Sequence, residues 1–401
     1  MIRQKTGNNS FLKEFNQTAI LNLIRTHKAL SKADLAKLTG LSPTAVGLIA
    51  SSLMEKGYIH ETGTGESKGG RRPVLLELKP RSFYSVGIDV DIDYTGFMMI
   101  DIKGDIIAEK LVKTPENYAY ERVMEFLENE TARLVDEYMV GWEKLLGIGV
   151  SVPGLIDSIT KELVLAPNLK WKHKDLRADL KRFGNVPVMI ENEAMASAIC
   201  ENWLGACQGI DNFVCINVSS GIGAGIFAHG KPYRGAGGSA GELGHIVVDE
   251  NGPKCGCGNY GCLETLASTV SIAEHFKRII RQGALSSLNS VEDLGQIDLN
   301  LIIKAAANQD VEAKRVLLES ARYLGIAISN VVNTLNPSKV ILGKEFVRYS
   351  DFVLDYIRGV VAGKALEYPA SKVEIEASQI GEKASALGAA IIPLKALFSI
   401  N

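Results

Sequence analysis

One order of strands and helices occurs twice in this chain, and it limits the possible folds. The first copy has three strands, an amphipathic helix and a fourth strand, at 84–90, 97–102, 106–111, 120–138 and 145–152. The second copy has three strands, a helix and a fourth strand, at 212–218, 223–228, 246–249, 312–334 and 339–343. Strands mixed with helices in this way are typical of an α/β domain. We therefore expect two α/β lobes, with ligands at the carboxyl ends of the strands in the cleft between them.

Basic residues concentrate at the N-terminal end, although the whole chain has a net charge of -2. Residues 1–82 contain 13 Lys and Arg against 6 Asp and Glu, and the rest of the chain contains 31 against 40. A basic head on an acidic body suggests that the head binds a polyanion. Charge alone does not distinguish this from a solvated basic face.

The sequence of the head predicts a helix-turn-helix. Ser31 and Asp34 resemble a capping box at the start of one short helix. Ser42 is a plausible N-cap of the next helix, with Pro43 at its first position. The two helices are joined by T-G-L, so residues 42–56 are predicted to be the recognition helix. A helical hairpin that serves only in dimerisation is the alternative.

Two short strands predicted at 58–61 and 74–78 flank a glycine-rich tip, G-T-G-E-S-K-G-G-R-R-P, which makes the head a winged helix. Cations in this wing can reach phosphates or a narrow minor groove. The small side chains of the recognition helix favour apolar contact with thymine methyl groups. The predicted DNA contacts are Ser42, Thr44, Ala45, Gly47, Leu48, Lys68, Arg71 and Arg72.

Three of the six cysteines, Cys255, Cys257 and Cys262, follow the spacing C-x-C-x4-C between glycines. The first ten residues lack an apolar leader segment, and there is no apolar run long enough to span a bilayer, so we expect a cytoplasmic protein without a membrane partner. Thiols stay reduced there, which argues against a disulfide. Three thiolates leave one tetrahedral position for a fourth ligand, as in a structural zinc site. Buried free thiols or a redox centre are the alternatives, although redox pairs usually have the spacing C-x-x-C.

Six motifs of the body resemble those of the ROK family, which includes transcriptional repressors and sugar kinases. They are V-G-I-D at 86–89, V-P-G-L-I-D at 152–157, A-P-N-L-K-W at 166–171, I-E-N-E-A at 190–194, G-E-L-G-H at 241–245 and C-G-C-G-N-Y-G-C-L-E at 255–264. Together with the winged helix and its G-G-R-R-P, they are most similar to the xylose repressors of that family.

The resemblance implies a two-lobed fold of the actin and hexokinase type, which is ribonuclease H-like, with a sugar between the lobes. We expect a winged helix-turn-helix domain at 1–80 and a ROK sugar-binding domain at 83–401. One lobe would comprise 83–195 with a C-terminal helix at 383–401, and the other 196–382. The family pattern selects His245 as the fourth ligand of a structural zinc. The implied sugar contacts are Gly154, Asn168, Asn192, Glu193, Glu242, His245 and Glu264.

The strand V-M-I is predicted to end at Glu191, Asn192 and Glu193, so that polar groups suited to sugar hydroxyls stand at a strand terminus. The alternative is that one of these residues caps the helix expected to begin near Ala194. Kinases of the family have an aspartate as general base at the position of Glu193. The extra methylene of glutamate would displace that base.

The segments that resemble the nucleotide loops of the kinases also depart from the family pattern. D-V-D-I-D-Y-T at 89–95 has two further aspartates where small residues are expected, and carboxylates repel phosphates. S-S-G-I-G at 219–223 lacks the first glycine of its loop, and L-G-K-E at 342–345 has Lys344 where a second glycine is frequent. We therefore expect a non-catalytic, sugar-responsive repressor. The alternative is a ROK sugar kinase with a DNA-binding head.

The partners implied by this interpretation are operator DNA and a small sugar. A homodimer, or a higher oligomer, would place two winged helices on the half-sites of a palindromic operator. The resemblance favours xylose as the effector, with glucose next.

Overall fold

The N-terminal segment forms a winged helix in this structure, a computed structural model that describes residues 9–65, 72–180 and 183–399. Its elements are α1 (Asn9–His27), β1 (Leu30–Ser31), α2 (Lys32–Thr39), α3 (Pro43–Glu55), β2 (Ile59–Thr64) and β3 (Val74–Leu78). The strands form an antiparallel sheet in the order β1-β3-β2. The apolar side chains of Ile20, Ile24, Leu35, Val46 and Leu53 are buried between the helices and this sheet.

The ends of α2 and α3 lie where local capping chemistry predicts them. Ser31 Oγ accepts from Asp34 N, and an Asp34 carboxylate oxygen accepts from Ser31 N, which completes the capping box. Gly40 ends α2 in the left-handed conformation with φ 70°. Ser42 Oγ accepts from Ala45 N at the start of α3. The predicted helix-turn-helix is therefore confirmed.

The first α/β copy follows the winged helix. Its elements are β4 (Tyr84–Asp89), β5 (Tyr94–Asp101), β6 (Ile106–Lys113), α4 (Tyr120–Glu137), β7 (Leu145–Val152), β8 (Leu155–Ile156), β9 (Leu163–Ala166), β10 (Trp171–Lys174), α5 (Leu176–Asp179), β11 (Val188–Asn192) and α6 (Glu193–Trp203). Five strands form a sheet in the order β11-β7-β4-β5-β6. The short strands form a separate sheet, β10-β9-β8.

The second copy completes the described chain. Its elements are β12 (Phe213–Val218), β13 (Ile222–Ala228), β14 (Lys231–Tyr233), α7 (Glu264–Ala267), α8 (Thr269–Arg281), α9 (Leu299–Ala307), α10 (Val311–Leu335), β15 (Lys339–Lys344), α11 (Ser350–Lys364), α12 (Glu367–Ala370), β16 (Glu374–Ala377) and α13 (Ala384–Leu397). The sheet order is β14-β13-β12-β15-β16. β12 pairs antiparallel with β13 and parallel with β15, which is parallel to β16.

The two five-stranded sheets have the same topology. When only the strands of each five-stranded sheet are numbered along the chain, both sheets have the order 3-2-1-4-5. Apolar side chains of β12 and β15 pack with those of the helices α8 to α11 to form the core of the second copy. The α/β architecture predicted from the repeated pattern is therefore confirmed.

One predicted strand is wrong. Residues 246–249 form only an isolated bridge, between Val247 and Cys262. Their backbone bonds to the cysteine loop instead of a sheet, since Val248 N donates to Gly261 O and Leu263 N donates to Ile246 O, both at 2.9 Å. The apolar run at 246–248 predicted a strand, but its partner is a tight loop that cannot extend a ladder.

The chain divides into two compact units. The first contains residues 1–150, 176–190 and 389–401, and the second contains 151–175 and 191–388. In the first unit, the winged helix contacts the C-terminal end of the chain, where Asn22 Nδ2 donates to Phe398 O at 2.6 Å. The boundaries expected at 1–80, 83–195 with 383–401, and 196–382 differ from these and stay a prediction.

Among residues 9–65, 72–180 and 183–399, no helix is both long enough and apolar enough to cross a lipid bilayer.

Candidate functional site

Helix α3 has one buried face and one exposed face, as expected of a recognition helix. Its buried residues are Val46, Ile49, Ala50 and Leu53. Of the predicted DNA contacts, Ser42, Thr44 and Leu48 are exposed, and Ala45 and Gly47 are half-buried. Leu48, also on this face, is 70% exposed. This face is therefore open to a partner.

The wing is formed by β2 and β3, which pair antiparallel with an irregularity between Thr62 and Thr64. Arg72 is exposed at the start of the returning segment. The predicted contacts Lys68 and Arg71 lie outside the described residues.

Asn192 and Glu193 lie at the junction of β11 and α6, as the sequence predicts. Asn192 Oδ1 accepts from Ala194 N at 2.9 Å and from Met195 N at 3.2 Å, so it caps α6. Its Nδ2 donates to Gly154 O at 2.9 Å, which joins two predicted sugar contacts. Capping and sugar binding are compatible here, because the amide has a second N–H to donate.

The side chains of Glu264 and Asn168 both lie close to Gly221. A methyl group on Gly221 would lie 2.8 Å from Glu264 Oε2 and 3.8 Å from Asn168 Nδ2. The same Glu264 oxygen accepts from Ile222 N at 3.2 Å. A backbone N–H therefore fixes this carboxylate at the start of β13.

Glu242 and His245 form a third group of predicted contacts. His245 Nε2 lies 4.0 Å from Glu242 Oε2, and both side chains are partly exposed. Burial raises the pKa of the Glu242 carboxyl; the charge of His245 lowers it and that of Glu264 raises it. All seven predicted sugar contacts belong to the second unit. Their joint action on one sugar remains a prediction.

His245, Cys255, Cys257 and Cys262 form a cluster whose four ligand atoms all lie within 4.8 Å of one another. His245 Nδ1 is 3.6 Å from Cys255 Sγ, and Cys257 Sγ is 3.7 Å from Cys262 Sγ. A tetrahedral zinc with its usual bond lengths separates such ligand atoms by about 3.5–3.8 Å. The geometry therefore fits a tetrahedral metal ion, and the Nε2 atom of His245 is left on the side of Glu242.

The thiols of this cluster have shifted pKa values. Burial raises the pKa of Cys262 to about 12 and also raises that of Cys255. A hydrogen bond from the Asn259 backbone lowers the pKa of Cys257. Thiols that burial keeps protonated become thiolates only when a cation offsets the charge, and metal binding would therefore release protons.

Two basic residues near the predicted sugar contacts were not assigned to the site by the sequence. Arg234 Nη2 lies 2.5 Å from Glu191 Oε2, and Lys344 Nζ lies 3.8 Å from Glu193 Oε2. The sequence marked Lys344 as an unusual residue after a strand, but its carboxylate partner lies in a distant segment. The contact between Lys344 and Glu193 depends on the parallel pairing of β12 with β15 and on the packing of α6 against β12 and β13, which no local pattern in the sequence signals.

Comparison with protein families agrees with this arrangement. The profile of the ROK family matches residues 85–396. A profile described as winged helix-turn-helix DNA-binding matches residues 16–60. One match lies in the head and the other in the body.

Similar proteins are known as repressors and as kinases. The chain is 35% identical over 379 residues to the xylose repressor of Bacillus subtilis, and the match covers 94% of each chain. The crystal structure of a ROK family transcriptional regulator, a homolog of the Escherichia coli MLC protein, has a TM-score of 0.84 at 28% identity and covers 97% of both chains. A ROK family glucokinase from Streptomyces griseus, solved with glucose and AMPPNP, has a TM-score of 0.70 at 28% identity and covers 77% of this chain and 98% of its own.

Proposed function

The chain belongs to the ROK family and begins with a winged helix-turn-helix, and on this premise we propose that it is a sugar-responsive, DNA-binding transcriptional repressor of carbohydrate utilisation genes. The observation that carries the proposal is the match to repressors over nearly the whole chain, which joins the DNA-binding head to the actin- and hexokinase-like body.

The head would bind operator DNA through α3 and the wing. The small side chains on the open face of α3, with Leu48, suit apolar contact with thymine methyl groups. Most of the affinity would come from cations near phosphates, such as Arg72, so it should fall steeply with salt. We further propose a homodimer on a palindromic operator, because two identical heads recognise two identical half-sites. Such a repressor would act in the cytoplasm.

The body would bind the effector in the second unit. Carboxylates, two amides and an imidazole there match the need of sugar hydroxyls for partners that accept and donate. Similarity to xylose repressors makes xylose the first candidate and glucose the second. A sugar that binds one conformational state about 1.4 kcal/mol more tightly than the other changes the ratio of those states tenfold.

We propose that this body does not phosphorylate its sugar. Glu193 replaces the aspartate base of the kinases, and Asp91 and Asp93 add negative charge to the segment that resembles a phosphate loop. The similarity to a glucokinase makes a kinase with a DNA-binding head the competing function. A coupled ADP-release assay with xylose, glucose and N-acetylglucosamine decides between them, because turnover of any sugar would refute the non-catalytic role.

We also propose that the cluster of His245, Cys255, Cys257 and Cys262 holds one structural zinc ion. Four protein ligands close a tetrahedral site and leave no position for a reactive water. Such an ion would tie the loop at 254–262 to the segment that carries Glu242. Elemental analysis of the purified protein should give one zinc per chain, and a metal-free protein with normal stability would contradict this role.

The repressor function is tested by an electrophoretic mobility shift on the promoter region upstream of its own gene. The protein should retard this DNA at low salt, and one of the three sugars should change the retarded fraction. A lack of any shift at low salt, with or without sugar, would exclude a repressor of that promoter. A shift that no sugar changes would exclude these sugars as effectors.

A further inference from the structure

A buried ion pair lies where strand β15 ends and helix α6 begins. Lys344 is the last residue of β15, Glu193 is the first residue of α6, and their side chains are only 7% and 10% exposed. Lys344 Nζ lies 3.8 Å from Glu193 Oε2. Both residues belong to the second unit. The pair therefore places a cation, sheltered from water, beside a carboxylate of the proposed sugar site.

The backbone of Lys344 has a conformation that favours glycine, with φ 56° and ψ -138°. Residues held in such regions persist only where the surroundings enforce them, and they are frequent at functional sites. Removing the two charges from water is a second unfavourable contribution. A lysine that is unfavourable on both counts is better explained by what its charge does than by stability.

Hydrogen bonds fix the orientation of helix α6, which carries Glu193, about its own axis. Residues four apart share one face of a helix, and Glu193, Ser197 and Glu201 form such a row of buried residues on α6. Ser197 Oγ accepts from Asn217 Nδ2 at 2.9 Å and lies 2.9 Å from Ser385 Oγ. Glu201 accepts a hydrogen bond from a buried serine hydroxyl. The polar face of α6 therefore keeps Glu193 directed at Lys344.

We propose that Lys344 is a positioning residue for the effector, whose ammonium group holds the Glu193 carboxylate in place and ionised to accept a hydrogen bond from a sugar hydroxyl. The inference rests on the proposed function. An ionised acceptor forms a stronger hydrogen bond than a neutral one. The attraction between Lys344 and Glu193 is lost when the carboxylate takes up a proton. The same lysine therefore opposes proton transfer from the sugar to Glu193, which agrees with a site that binds and does not phosphorylate.

The test compares Lys344→Met, Glu193→Gln and the double variant by calorimetric titration with xylose and glucose and by thermal unfolding without sugar. Lys344→Met removes the charge and keeps most of the side-chain length, and Glu193→Gln keeps the shape. Each single variant should weaken sugar binding at least tenfold. The double variant leaves no buried charge unpaired, so it should recover the melting temperature of the unaltered chain but not its sugar affinity.

Lys277→Met is the matched control, because Lys277 is also largely buried and paired, with Glu274 at 2.9 Å, in the same unit. It should leave sugar affinity unchanged. A double variant that binds sugar within threefold of the unaltered chain would overturn the role of Lys344. If a single variant fails to fold, the sugar affinity of the double variant decides the test. If the unaltered chain binds neither sugar, the proposed effectors and this inference fail together.

Discussion

Gly221→Ala should weaken sugar binding by displacing Glu264. The added methyl group would lie 2.8 Å from Glu264 Oε2, whereas ordinary contacts begin at 3.4 Å. The φ of Gly221 lies outside the left-handed region, so alanine is compatible with this backbone. The carboxylate must therefore move by about 0.6 Å, while the backbone has no reason to change.

The displacement is large enough to break the bond that orients the carboxylate. Ile222 N donates to Glu264 Oε2 at 3.2 Å, and a shift of about 0.6 Å takes it beyond hydrogen-bond range. A hydrogen bond to a charged group contributes about 1.5–3 kcal/mol. Loss of one such bond between Glu264 and the sugar corresponds to a decrease in affinity of about 10- to 150-fold.

Isothermal titration with the sugar that binds the unaltered chain measures this loss, and Gly359→Ala is the matched control. Gly359 is an exposed residue of α11 in the same unit, where an added methyl group meets nothing within 4 Å. Its replacement should stabilise the protein by about 1 kcal/mol through helix propensity and leave sugar affinity unchanged. Equal sugar affinities of the two variants would refute the placement of Glu264 in the sugar site.

Further outcomes are expected from substitutions at three residues. Cys257→Ser should lose zinc and the sugar response together, and a zinc-free variant with normal sugar affinity would show that the metal does not support the site. Burial alone would raise the pKa of the Asp310 carboxyl. Hydrogen bonds from backbone N–H groups and two serine hydroxyls outweigh burial and lower this pKa to about 2. The unfolded value is about 3.9, so about 2.5 kcal/mol of stability is present above pH 4 and lost as the pH falls towards 2, and Asp310→Asn should flatten that part of a stability profile. Ser42→Ala should lower the unfolding free energy by about 1 kcal/mol, because Ser42 Oγ caps α3. Ser42→Asp should keep the cap but weaken DNA binding by phosphate repulsion, and unchanged DNA affinity would remove Ser42 from the interface.

Much of the fold was predictable because its signals are local. The capping box of Ser31 with Asp34 and the left-handed Gly40 set the ends of α2 through neighbouring residues alone. Apolar periodicity predicted the long helix α10 and most strands of the two five-stranded sheets, because burial of one face requires that period, but it did not predict the short strands β14 and β16. The same reasoning was wrong at 246–249, since periodicity carries no information on whether a strand finds a partner.

The sequence by itself determined the winged helix, the repeated α/β order and a cysteine spacing suited to a metal. Only the tertiary structure decided which groups meet: it places His245 Nδ1 beside Cys255, gives Glu264 a backbone donor next to Gly221, and pairs Lys344 with Glu193. Helix capping and apolar periodicity depend on residues that are only a few positions apart in the sequence. Contacts between distant segments depend on the order in which strands assemble into a sheet, and no local pattern encodes that order.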